Sequence, residues 1–259
     1  AENIAVEAAA LPLATLQAHP RGEDTQGERQ WRWERRVVPA GDAALAGGVT
    51  IELPHGRGYV FNPNEILSPD GHCHAFDHRA EGTVFGSGAA VVMLRRLDDA
   101  VRDRDHIWAV IKGTAVNNDG ATKMNYAAPN AAGQAEVIAE AHALAEVDAA
   151  TIGYVETHGT ATPLGDPVEV EGLRQAFELA EEDRTEPCVL GSVKSNIGHL
   201  ETAAGIASLI KAVLCLENKA LPGTLHYTAP NPELHLERGP FEVRGEHSKW
   251  ESAARDARV

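Results

Sequence analysis

Cysteine is scarce in this sequence. The three present, at positions 73, 188 and 215, are too few and too widely spaced to form a disulfide framework. Basic residues are also in short supply: 23 Lys and Arg stand against 38 Asp and Glu, a formal net charge of −15. So acidic a chain is poorly suited to non-specific nucleic-acid binding. No apolar run approaches the roughly 20 residues needed to span a bilayer, so no membrane segment is expected. Residues 4–16 are rich in Ala and Leu, but Glu7 and Pro12 interrupt them. No basic stretch precedes them, which argues against a signal peptide. The cytoplasm is then the default compartment. Aromatics make up only 5% of 259 residues, and a chain of that length can bury a substantial core. The length allows one large domain or two small ones. The first residue is Ala, not Met, as in a processed chain or a piece of a longer one.

An obvious nucleophile is also missing. What is present is a pair of histidines in similar settings: Glu156-Thr157-His158-Gly159-Thr160, and Val193-Lys194-Ser195-Asn196-Ile197-Gly198-His199-Leu200-Glu201. Each histidine adjoins a glycine, after a β-branched run and before a helix-like segment. Around them strands and helices alternate. Ala43–Ile51 and Ala89–Leu94 read as buried strands, and Ile107–Ala115 as a further strand ended by an Asn117–Gly120 turn. A helix is expected from about Asn130, with Val137, Ile138, Ala141, Leu144 and Ala145 on one face. Strands follow at Ile152–Val155 and Val189–Val193, and a helix at Thr202–Leu216. Asp166-Pro167-Val168-Glu169 reads as a helix start, with Asp166 as the cap and Glu169 completing a capping box. Such alternation predicts an α/β fold with parallel strands, whose functional residues lie beyond the carboxyl ends of the strands. Both histidines satisfy that rule. Gly86-Ser87-Gly88 precedes its strand, whereas a dinucleotide loop follows one, so no nucleotide cofactor is read there.

Two imidazoles on neighbouring strand-end turns can converge on one carbonyl oxygen. A malonyl-type thioester losing CO₂ forms an enolate, and N–H donors aimed at that oxygen lower the barrier. A helix N-terminus beside an imidazole keeps it an uncharged donor. His199, just ahead of Thr202, is placed for this. Lys194 and Glu201 flank it and would order it as an ion pair.

From Asp42 to Val243 the chain resembles the ketosynthase domain of modular type I polyketide synthases, relatives of the β-ketoacyl-acyl-carrier-protein synthases. The stretches that carry the resemblance include Ala44-Leu45-Ala46-Gly47-Gly48-Val49, Leu67-Ser68-Pro69-Asp70-Gly71, Asn117-Asn118-Asp119-Gly120 and Ala128-Pro129-Asn130. They continue with His158-Gly159-Thr160, Thr162-Pro163-Leu164-Gly165-Asp166-Pro167, the Gly191–Glu201 block and Pro230-Asn231-Pro232. The resemblance implies a partial thiolase-like α/β fold, layered α/β/α/β/α, without its first strands and its final strand-turn. It implies that His158 and His199 bind the extender's thioester carbonyl and assist decarboxylation, with Lys194 beside them and Glu201 and Asn196 in support. It implies that Thr160 and Thr162 hold the phosphopantetheine arm of an acyl carrier protein, the expected partner. No cofactor would bind the chain directly, and no metal is expected. The residues divide into an irregular arm at 1–40, the remainder of the amino-terminal ketosynthase half at 41–104, and a truncated carboxyl-terminal half at 105–259.

The sequence also departs from the family. Ala161 stands where Gly is usual and would crowd the arm, and Thr157 replaces a usual Ala. The family's acyl-accepting cysteine lies upstream of Ala44–Val49, and residues 1–40 hold none. Those residues resemble nothing in the family; a junction or out-of-frame origin would account for them. Cys188 and Cys215 read as core. Cys73, between His72 and His74 with His78 nearby, suggests a metal or an activated thiolate by composition, but maps to the family's Pro-Asp-Gly loop. Condensation by this chain alone is therefore not expected, while residual malonyl decarboxylation is conceivable because that step uses the histidines. The alternative is a non-catalytic remnant, or a subunit that complements a cysteine-bearing chain or pairs as a homodimer. Open sheet edges and poor solubility in isolation are expected. A thiolase acting on CoA esters is disfavoured by the Val193–His199 block.

Overall fold

The structure, a computed structural model, describes residues 43–250 except 55, 57, 64, 119–128 and 178–185, together with the backbone of four short strands before residue 43. Those strands are β1 (Asn3–Val6), β2 (Arg21–Gln26), β3 (Arg29–Glu34) and β4 (Pro39–Ala40). They fall within residues 1–40, expected as an irregular arm. β2 and β3 pair antiparallel, with Arg21 opposite Glu34 and Gln26 opposite Arg29. Two six-residue strands joined by a two-residue Gly-containing link need only local register, not a long amphipathic period.

β5 (Ala43–Thr50) and β6 (Gly88–Arg96) run antiparallel, with Leu45 opposite Met93 and Gly47 opposite Val91. With β4, β1 and β7 (Val110–Ile111) they form a sheet in the order β4-β5-β6-β1-β7. Their apolar runs predict burial on both faces, which the structure does not show. Leu45, Val49 and Val91 are 49%, 57% and 63% exposed, while Val92 is buried. The period of two is real, but Ala and Gly dilute it, so the alternation is hard to read in the sequence. β7 is far shorter than Ile107–Ala115, and the turn expected at Asn117–Gly120 runs into residues outside those described. Helix α1 (Leu97–Asp103) follows β6 and ends at Arg104 in the left-handed conformation.

Helix α2 (Ala131–Ala145) starts where the Asn130 side chain accepts the Ala132 N–H at 3.1 Å. It precedes β8 (Tyr154–Glu156), α3 (Gly165–Phe177), β9 (Cys188–Gly191) and the single turn α4 (Lys194–Ile197). Then come α5 (Ala204–Asn218), β10 (Ala220–Leu221), β11 (Phe241–Val243) and β12 (Ser248–Lys249). β8, β9 and β11 make a parallel sheet in the order β11-β9-β8. β9 alternates its faces: Cys188 and Leu190 join Val170, Leu173, Phe177 and Phe241 in one core, while Val189 packs with Tyr154, Cys215 and Trp250 in the other. α5 lies between the two main sheets. Ile206, Leu209, Ile210 and Val213 meet Val92 and Leu94 of β6, and Cys215 and Leu216 meet the β8–β9 sheet. A helix apolar on two sides suits that sandwiched place. Among the described residues no helix is long and apolar enough to cross a membrane.

Candidate active site

His158 and His199 leave the carboxyl ends of the adjacent parallel strands β8 and β9. Their rings meet 5.1 Å apart between centroids, nearly perpendicular at 87°. Several bonds bring the two turns together. Both the backbone N–H and the hydroxyl of Thr157 donate to the Gly191 carbonyl, at 2.9 and 2.8 Å. Ser192 Oγ donates to the Gly159 carbonyl at 2.9 Å. Glu156 accepts the Val193 N–H at 2.6 Å, and its other oxygen pairs with Lys211 Nζ at 2.8 Å. Gly159 and Gly198 have φ of +43° and +75°, and a Cβ at Gly198 would sit 2.7 Å from the Val84 carbonyl oxygen.

His199 is gripped along its backbone by the segment before β6. Its N–H donates to the Val84 carbonyl at 2.7 Å, and its carbonyl accepts the Gly86 N–H at 3.1 Å. Phe85 lies against its ring at 5.7 Å. The Gly86-Ser87-Gly88 stretch, legible in the sequence only as the approach to a strand, is part of the clamp on His199. The Glu201 N–H donates to His199 Nδ1 at 2.9 Å. Nδ1 therefore carries a lone pair, and in the neutral ring the proton sits on Nε2. Burial lowers both histidines to a pKa of about 4, the Lys194 charge pushing the same way. His158 keeps an exposed edge, so water screens part of this effect; His199 is half-buried. Both rings are uncharged at neutral pH.

Lys194 is 2% exposed. Burial lowers its pKa, opposed by the carboxylates of Glu169 and Glu156. Glu201 acts on His199 through its backbone N–H. Glu169 does not complete the expected capping box. Its oxygens accept the N–H groups of His158 at 2.6 Å and Gly159 at 2.8 Å, fixing the first histidine turn. Asp166 does not cap α3, which already begins at Gly165. Its buried carboxyl accepts the N–H groups of Phe76 at 2.8 Å and Ala161 at 3.0 Å. Burial raises its pKa to about 7 against those hydrogen bonds. The Asp-x-x-Glu spacing after His158 reads equally as a helix cap, so no local signal marks either role.

Thr160 and Thr162 stand with their hydroxyls 3.1 Å apart, and Thr162 Oγ1 also accepts the Gly165 N–H at 3.1 Å. Between them Ala161 has φ +62° and is fully buried. Its methyl packs with Cys73 and Ala80, so it points into the core and does not crowd the threonine face as expected. Asn196 is exposed, with its side-chain oxygen 3.4 Å from Ser195 Oγ; among the described residues it makes no hydrogen bond to either imidazole. All three cysteines are buried. Cys73 Sγ accepts the Val84 N–H at 3.1 Å and lies 3.5 Å from Thr83 Oγ1.

The chain matches the Beta-ketoacyl synthase, N-terminal domain over residues 40–100, and the Beta-ketoacyl synthase, C-terminal domain over residues 108–228. It belongs to the β-ketoacyl synthase family. Among curated proteins, 60% of 210 residues are identical to a phenolphthiocerol/phthiocerol polyketide synthase from Mycobacterium tuberculosis, over 81% of this chain and 14% of that protein. Polyketide synthase PksN of Bacillus subtilis is 43% identical over 82% of this chain and 4% of its own length. Among solved structures, ketosynthase twelve of the bacillaene polyketide synthase from Bacillus amyloliquefaciens superposes with a TM-score of 0.78 at 42% identity, over 81% of this chain and 37% of that one. The module 6 ketosynthase of the bacillaene synthase from Bacillus subtilis gives 0.74 at 40% identity, over 82% and 38%. The fold is thus a thiolase-like ketosynthase fold in part. The chain spans under two-fifths of the solved ketosynthases it matches.

Proposed function

We propose that this β-ketoacyl synthase segment holds and decarboxylates a malonyl-type thioester, the extender step of polyketide or fatty-acid chain growth. The observation that carries this reading is the perpendicular imidazole pair, with His199 Nδ1 occupied by the Glu201 amide. The thioester carbonyl oxygen sits between the two rings. The bond to the carboxylate breaks, CO₂ leaves, and the electron pair moves onto that oxygen as an enolate. His199 Nε2–H and an N–H of His158 donate to it. Lys194, balanced by Glu169 and Glu156, supplies positive charge behind the rings. Thr160 and Thr162 receive the phosphopantetheine arm of an acyl carrier protein.

Condensation also needs a thiol that takes the acyl chain. In this chain the three cysteines are buried, and Cys73 Sγ is engaged with Val84 and Thr83. That favours supply of the thiol from outside these 259 residues, whether from the rest of a longer polypeptide, a complementing chain or a second copy. The test is CO₂ release from a malonyl-pantetheine thioester, with intact mass recorded after exposure to acyl donors. The wild type is expected to release CO₂ without a stoichiometric acyl adduct, and His199→Ala to slow release roughly 10²–10³-fold. Equal release from both proteins refutes the histidine roles; a one-to-one adduct refutes the external thiol.

A further inference from the structure

A second histidine cluster lies outside the active site and takes no part in the chemistry above. Asp70, His72 and His74 sit on the loop after β5, and His226 comes from the segment after β10. One ligand atom from each of Asp70, His72 and His74 lies within 4.8 Å of the others. His74 Nε2 is 2.8 Å from Asp70 Oδ2, and His72 Nδ1 is 3.7 Å from Asp70 Oδ1. His226 places its ring 4.6 Å from that of His72 and 5.5 Å from that of His74; the latter two are 5.9 Å apart. The chain alternates here, so the two histidines share one side while Cys73 turns the other way, towards Thr83 and Val84.

Asp70, His72 and His74 are spaced for one ion. A tetrahedral centre with metal–nitrogen bonds of about 2.0–2.1 Å has ligand atoms about 3.3 Å apart and imidazole centroids about 5.2 Å apart. The observed ring separations bracket that value; the His74 and His72 nitrogens lie nearest different oxygens of Asp70, and His226 joins by its ring position, outside the group of ligand atoms within 4.8 Å. His74 is 7% exposed, and its Nδ1 has no hydrogen-bond partner. That nitrogen faces away from Asp70, so the ring is held on the cluster side through Nε2 alone. The Arg79 guanidinium lies close by, with its Nε on Asp77 and its Nη2 on the His226 carbonyl, each at 2.7 Å.

We propose that Asp70, His72, His74 and His226 form a binding site for one divalent ion of the zinc class. Imidazole and carboxylate ligands suit such ions, and the half-exposed Asp70 and His72 give an entry path. The ion clips the 70–74 loop to the 226 segment. That junction is already tied by the His78 N–H to the Ala229 carbonyl at 3.1 Å, and by the Asn231 N–H to the Phe76 carbonyl at 2.9 Å. Phe76 in turn donates to Asp166, so the clip braces the base of the Thr160–Thr162 loop from outside.

The test uses the whole chain, stripped with chelator and titrated with Co²⁺ by absorption spectroscopy and with Zn²⁺ by calorimetry. One equivalent is expected to bind, with the visible spectrum of four-coordinate cobalt and no thiolate charge-transfer band. His72→Ala changes a half-exposed side chain and is expected to leave the fold intact by circular dichroism. It and His226→Ala are each expected to weaken binding at least about tenfold. Absence of a saturable single site, a thiolate band, or wild-type affinity in His72→Ala overturns the proposal. Wild-type affinity in His226→Ala alone removes His226 from the site.

Discussion

At the scale of single residues, the site works by controlling protons with backbone groups. The Glu201 amide occupies one nitrogen of His199 and leaves the other as the donor. Glu201 adopts φ +45° in doing so, a conformation that costs free energy in a non-glycine residue. Ala161 shows a similar compromise. Its left-handed backbone costs roughly 1–2 kcal/mol. Glycine would relieve that strain, but would lose a buried methyl worth about 0.8 kcal/mol and add about 0.5–1 kcal/mol of unfolded-chain entropy. These contributions nearly cancel, so Ala161→Gly is expected to leave the thermal midpoint within a few degrees of wild type. A scanning-calorimetry shift beyond about 8 °C either way would show that the methyl or the strain has been misjudged.

At the scale of elements, the site is a set of turns held between strand ends. Gly198 joins α4 to His199 at φ +75°, with no room for a Cβ against the Val84 carbonyl. Gly198→Ala would push His199 off the 84–86 clamp. CO₂ release is expected to fall at least tenfold while the far-UV spectrum stays unchanged; unaltered turnover would mean that the clamp does not position the ring. The same turns show what the sequence reveals about function. Both histidines are legible as strand-end residues, because β-branched runs and glycines mark such junctions without tertiary information. Glu169, Asp166 and Glu156 are not. Their partners are backbone N–H groups brought close only by folding, and Asp-Pro-x-Glu satisfies the local logic of a helix cap equally well.

At the scale of the whole molecule, the layers are legible where helices are long and strands parallel, from α2 through α5. They are less so at β5 and β6, where Ala and Gly blur the alternation, and before residue 43, where β2 and β3 pair locally but β1 pairs with the distant β6 and β7. His226 is invisible as a neighbour of His72, since nothing in the sequence brings the segment after β10 to the loop after β5. The candidate site depends on the same assembly, because burial between layers is what discharges its histidines. Unfolded histidine has a pKa near 6.5. Folded values of about 4 mean that between pH 4 and 6.5 the unfolded chain binds protons that the folded chain does not. The two histidines therefore favour folding above pH 6.5, and that contribution fades as pH falls through the window. Asp166, raised to about 7, opposes them over much of it, since its folded form keeps the proton longer. The central claim, two uncharged imidazoles facing one oxygen, is tested most directly by a ¹⁵N NMR titration of labelled histidine in the whole chain from pH 8 to pH 4. The account predicts that His199 carries its proton on Nε2 and that both rings stay neutral down to about pH 5. Ordinary titration near pH 6.5, or a His199 proton on Nδ1, would contradict it.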